Sequence, residues 1–133
     1  MGAVLWWQPM RLVFYGLCSW FAAGPDSAIN PEPGEYYIAC RWDYSTIGRE
    51  LNLTPAGVKR ALREAHVVVS NPATGDKCKA RVADWGPARH TKRAIDMSLP
   101  LMRKLGLKTD EKAIAEITVG LNLNGTMPLK GTK

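Results

Sequence analysis

The sequence predicts a mainly β protein, a small closed barrel with two short helices. Three observations carry this. The chain has 133 residues, the length of one domain. Nine prolines and twelve glycines break it into short pieces, which favours turns and strands over a bundle. Five runs of β-branched, aromatic or alternating residues sit between those breaks, with helical periodicity in only two places.

The first strand is read over residues 12–21, Leu-Val-Phe-Tyr-Gly-Leu-Cys-Ser-Trp-Phe, rich in β-branched and aromatic side chains. Residues 22–34 hold Gly24-Pro25-Asp26 and Pro31-Glu32-Pro33-Gly34 and read as a loop. A second strand follows over 35–42. Thr54-Pro55 starts a helix, with Thr at the N-cap and Pro in the first turn. Val58, Ala61, Leu62 and Ala65 form its apolar face, opposite Lys59, Arg60, Arg63 and Glu64. Residues 66–70 and 77–83 read as strands of a hairpin joined by Asn71-Pro-Ala-Thr-Gly75. Residues 98–106 form the second helix, with Ser98 as its cap, Gly106 as its end, and Leu99, Met102 and Leu105 buried. Residues 113–119 alternate as the last strand. The domain is set at 12–120, residues 1–11 are an N-terminal extension, and 121–133 are a tail.

The net charge is +6, from 18 basic and 12 acidic residues, which suits an anionic partner or simply solubility. No helix-turn-helix, zinc knuckle or aromatic RNA-binding motif is present, so no specific nucleic-acid partner is expected. Cys18, Cys40 and Cys78 are odd in number and lack metal spacing. They read as buried thiols, with a Cys18–Cys40 disulfide as the alternative, and no metal or other cofactor is expected. Gln8, Pro9 and Arg11 interrupt the apolar start, so neither a signal peptide nor a membrane span is expected.

The chemistry concentrates between Arg81 and Ser98. Asp84 and Asp96 flank a Gly86-Pro87 turn and a basic loop containing Arg89, His90, Lys92 and Arg93. Two carboxyl groups brought together are what cleavage of a glycosidic bond requires. Asp84 is the expected acid/base and Asp96 its electrostatic partner. Asp84 can equally serve as a turn aspartate that accepts backbone N–H groups, and Asp96 as a helix cap or a partner of Arg93. Trp20, Tyr44 and Trp85 are candidates for stacking on sugar rings. Core packing is the competing role, favoured for Trp20 and Trp42, while Trp85 is assigned to a groove. Arg89, His90 and Arg93 are candidates for holding carboxylates or phosphates of a substrate, or for a solvated loop.

Asp84-Trp85-Gly86-Pro87, then Arg93-Ala94-Ile95-Asp96-Met97-Ser98, then Leu105-Gly106 resemble the double-psi β-barrel of the rare-lipoprotein-A-like and expansin-like group. Tyr15-Gly16-Leu17-Cys18-Ser19-Trp20-Phe21 is similar to the first-strand pattern of that group. The resemblance spans residues 12–120 and implies a six-stranded barrel with a polysaccharide groove holding Asp84 and Asp96. It implies a monomeric protein of the cell envelope or exterior, or one encoded by a phage, with peptidoglycan or a related polysaccharide as partner. Some members are lytic transglycosylases of peptidoglycan, and expansins loosen walls without hydrolysis. A barrel used as a structural part of a phage particle or secretion apparatus is a third expectation. One departure stands out. The lytic branch carries an Ala-Ala-His segment, with an acid upstream, where this chain reads Ile38-Ala39-Cys40-Arg41-Trp42. The histidine is absent, and Glu32 or Glu35 is the nearest upstream acid.

Overall fold

The computed structural model describes residues 9–85 and 91–120. Six strands close into a mixed barrel: β1 (Met10–Trp20), β2 (Tyr37–Cys40), β3 (His66–Ser70), β4 (Lys77–Trp85), β5 (Ile95–Met97) and β6 (Lys112–Val119). Around the barrel they run β1-β5-β2-β4-β3-β6 and back to β1. The pairs β1/β5 and β2/β4 are parallel, and the other four are antiparallel. Three helices accompany the barrel: α1 (Tyr44–Leu51), α2 (Pro55–Arg63) and α3 (Leu99–Leu105).

The longest strand, β1, serves two neighbours. Residues Met10 to Leu17 pair with β6, and Cys18 to Trp20 pair with β5. The handover falls between Leu17 and Cys18, just after Gly16. A Cβ on Gly16 would sit 2.9 Å from that of Ala94, so only glycine lets the start of β5 approach this closely. Alternation along β1 buries Leu12 and Phe14 against the core and exposes Arg11, Val13 and Tyr15. The core is filled by Cys18, Ile38, Cys40, Val67, Val69, Val82, Ile95, Met97, Ala115 and Ile117 from the strands, joined by Val58, Leu62, Leu101 and Leu105 from the helices.

Helix α2 begins where expected. The Thr54 hydroxyl accepts from the Gly57 N–H at 3.1 Å, and Val58 and Leu62 are fully buried. Helix α1 is one more than the sequence predicts. Asp43 caps it, its carboxylate accepting from Thr46 N at 3.1 Å and Thr46 Oγ1 at 2.7 Å, and Asn52 ends it in the left-handed region. Its core-facing residues, Tyr44, Ile47 and Leu51, fall at helical spacing, but the helix is eight residues long and carries Gly48 in its middle, which weakens the signal. Strand β5 is three residues long, too short for periodicity, and it too has no counterpart in the expected elements.

Helix α3 corrects two details. Ser98 is at its N-cap but makes no capping bond. Its hydroxyl accepts instead from Tyr37 N at 3.2 Å, because Ser98 still continues the β5–β2 pairing, its N–H donating to Tyr37 O at 2.9 Å. The buried face is Leu101, Met102 and Leu105, with Leu99 only half-buried. Asn71 anchors the β3–β4 turn to this helix. Its Nδ2 donates to Leu105 O at 2.8 Å, and its Oδ1 accepts from Ala73 N at 3.0 Å.

The three cysteines are free thiols. Cys18 and Cys40 both pair with Ile95, from opposite sides of β5. Two strand spacings place their Cα atoms about 9–10 Å apart, beyond the reach of a disulfide.

Candidate functional site

The two aspartates come together across β2. Ala39 pairs with Asp96 on one side and with Asp84 on the other. Asp96 in turn pairs with Ser19 of β1. One row therefore crosses four strands: Ser19, Asp96, Ala39, Asp84. The neighbouring row, Cys18, Ile95 and Cys40, is fully buried in the core, so strand alternation turns the aspartate row to the outer face. Asp84 reaches this row because the β2–β4 register shifts between Ile38 and Ala39. Ile38 pairs with Val82, Ala39 with Asp84, and Ala83 is passed over. β4 runs through Trp85, so Asp84 is a strand residue rather than part of the expected turn.

Across this row the Asp84 and Asp96 Cα atoms are two strand spacings apart, about 9–10 Å. Ala39 stands between them in the row, and its side chain is buried.

The two carboxyl groups have different surroundings. Asp96 is half-buried, and that burial raises its pKa above the usual carboxylate value. The Ser19 hydroxyl, which donates to Asp96 Oδ1 at 2.5 Å, and the Arg93 charge pull the other way without cancelling the effect. Asp84 instead accepts from the Trp85 backbone N–H at 2.9 Å, the bond expected of a structural aspartate. Ser19 is itself 8% exposed and gave no sequence signal of this role beyond its position in the first-strand pattern.

The loop before β2 walls one side of the row and is bonded to three strands. Phe21 N donates to Met97 O at 3.0 Å, Ile29 N donates to Ala83 O at 3.0 Å, and the Tyr37 hydroxyl accepts from Ala23 N at 2.9 Å. Beyond the other side is Arg93. Its Nε donates to Asp110 Oδ1 at 2.9 Å, and its carbonyl accepts from Arg41 Nη2 at 2.5 Å. Arg93 is thus a fixed cation near Asp96, with Asp110 as its direct partner. Asp96 has Ser19 as its partner and caps no helix.

The aromatic candidates separate. Trp20 is 52% exposed, which overturns the core assignment. Pairing with Met97 puts it one residue from Asp96's own pair, at the edge of the row. Trp85 follows Asp84 in the strand, so its side chain takes the inner face, where it packs against the core beside Trp42 and Tyr44. Tyr44 meets Trp85 edge-on at 6.0 Å, and Lys59 Nζ lies 5.7 Å from the Tyr44 ring. Burial and then the charge of Asp84 raise the Tyr44 hydroxyl pKa, so Tyr44 stands within electrostatic reach of the aspartate row. Trp42 packs edge-on to Phe14 at 5.2 Å, as a core residue should.

Glu35 is taken up by Arg81 at 2.8 Å, and His66 lies in β3, paired with β6 rather than with the row. Arg89 and His90 lie outside the described residues. Among the described residues no three His, Cys, Asp or Glu side chains gather as metal ligands would, and no helix is long and apolar enough to cross a membrane.

No protein-family model matches this chain, and no curated protein is significantly similar to it.

Proposed function

We propose that the chain acts on peptidoglycan, cleaving glycan strands in the manner of a lytic transglycosylase. The double-psi barrel resemblance supplies the substrate class. The observation that supports the chemistry is the row in which Asp96 and Asp84 flank Ala39, with burial keeping Asp96 inclined to hold a proton. The roles then reverse from the sequence expectation. Asp96 gives its proton to the glycosidic oxygen as the C1–O bond breaks. Its carboxylate next removes a proton from the sugar's 6-hydroxyl as that oxygen bonds to C1. Asp84, held as an acceptor by the Trp85 N–H, stabilises the oxocarbenium-like state electrostatically. Arg93 and the exposed Trp20 flank the row, where they suit a carboxylate and a sugar face of the substrate.

A second reading has its own support. The position matching the lytic histidine lies in Ile38-Ala39-Cys40-Arg41-Trp42, and His66 does not reach the row. This favours a barrel that grips wall glycan without cutting it. Incubation of the protein with purified sacculi separates the two. The lytic reading expects soluble fragments ending in 1,6-anhydro sugars. Co-sedimentation without release replaces it with the binding reading, and absence of both overturns both, leaving a structural role.

A further inference from the structure

Across β4, β3, β6 and β1 the strand register lays the outer face of the barrel out in rows. Lys79, Val68, Glu116 and Val13 stand side by side in one row. Lys77, Ser70, Ile114 and Tyr15 form the next, and Lys112 pairs with Leu17 beyond it. Val67, Val69, Ala115 and Ile117 alternate with these residues and fill the core, so the rows turn outward. Val13 is 58% exposed and Tyr15 57%, an unusual amount of open surface for large apolar side chains two residues apart on one strand. Helices α2 and α3 make their main strand contacts with β4, which leaves β1 and β6 open on this side.

The charge around this apolar centre is of one sign. Lys77 and Lys79 edge it on β4, and Arg11 and Lys112 edge it on β1 and β6, with Lys112 Nζ 5.6 Å from the Tyr15 ring centroid. Glu116 is the one carboxylate in the rows, and Arg11 pairs with it. Lys77, Lys79 and Lys112 have no ion-pair partner among the described residues. Asp76 and Glu111, in the flanking turns, are engaged with Thr74 and with the Lys108 N–H. Shape narrows the partner further. The outside of a closed barrel is convex, so it offers no groove for an extended polymer but can press into a soft surface. Apolar and tyrosyl side chains edged by lysines suit the headgroup layer of an anionic bilayer, where the ring sits at the interface and the lysine stems reach the lipid phosphates.

We propose that this outer face docks the protein on an anionic lipid surface. Val13, Tyr15 and Ile114 enter the headgroup layer, and Lys77, Lys79 and Lys112 meet its phosphates. The contact is peripheral and does not depend on the glycan reading.

Co-sedimentation of the full chain with vesicles of phosphatidylcholine alone, and of phosphatidylcholine mixed with phosphatidylglycerol, tests it. The wild type is expected to bind the anionic vesicles on the order of a hundredfold tighter than the neutral ones, each of three lysines supplying about fivefold. Lys77→Gln with Lys79→Gln should weaken anionic binding on the order of tenfold. Val13→Gln with Tyr15→Gln leaves the charge unchanged and should weaken it on the order of tenfold as well. All four positions are exposed, so both double variants should fold, as circular dichroism will show. No binding to anionic vesicles, equal affinity for the two vesicle types, or wild-type affinity in either double variant overturns the proposal. A dimer in sedimentation equilibrium that Val13→Gln with Tyr15→Gln dissociates would give the face to a second copy and overturn it too.

Discussion

Burial and a hydroxyl donor pull Asp96 in opposite directions. Burial resists the charge, and the 2.5 Å bond from Ser19 supports it, with burial the larger effect. The folded pKa is therefore raised. A raised acid stabilises the fold below its unfolded value of 3.8, and that contribution is lost as pH rises through the folded value. At neutral pH ionised Asp96 thus costs stability. Asparagine keeps an oxygen for Ser19 to bond and removes the charge. Asp96→Asn should melt higher than the wild type at pH 7, with the difference closing as the pH falls through the raised folded value and gone below 3.8. Thermal melts across pH check this, and a lower melting temperature at neutral pH would sink it. A destabilising acid in an outward row suits a residue kept for chemistry rather than for folding.

At the scale of elements, α2 and α1 show what could be read in the chain and what could not. Thr54-Pro55 and the spacing of Val58, Leu62 and Ala65 announce α2, because cap and apolar face agree. Helix α1 is capped by Asp43 and turns Tyr44, Ile47 and Leu51 to the core, a pattern present in the sequence but short and interrupted by Gly48. Strand β5 is three residues long, yet its middle residue is Asp96, so local pattern could mark the aspartate without revealing the strand that holds it. The pairing of both aspartates with Ala39 depends on a register shift between strands distant in sequence, which no local pattern encodes. The same accounting ranks two substitutions in α2. Thr54→Ala removes one cap bond and should cost about 1 kcal/mol. Leu62→Ala opens a cavity in a fully buried position and should cost about 2–5 kcal/mol. Denaturant unfolding of the two variants gives the order, and an equal or reversed cost would show that α2 is not packed as described.

The whole molecule is a closed barrel, and closure decides which groups can meet. It sets Cys18 and Cys40 on either side of β5, both buried, and leaves Cys78 half-exposed on β4. Burial raises the Cys18 thiol to about 11 and the Cys40 thiol further still, so both stay protonated and shielded at neutral pH. Brief alkylation of the native protein should modify one thiol, at Cys78, and all three after unfolding. Mass spectrometry counts the adducts, and an intramolecular disulfide, or rapid native labelling at Cys40, would contradict this topology. Closure also brings β5, β2 and β4 side by side, which is how aspartates twelve positions apart come to share one alanine.

That shared row is the account's central claim, and release of anhydro-sugar fragments from purified sacculi by wild type and Asp96→Asn tests it most directly. The wild type should release them, and Asp96→Asn, folded and still bound to sacculi, should release them roughly 10²–10⁴-fold more slowly, the worth of a positioned general acid. Release by Asp96→Asn at the wild-type rate would contradict it.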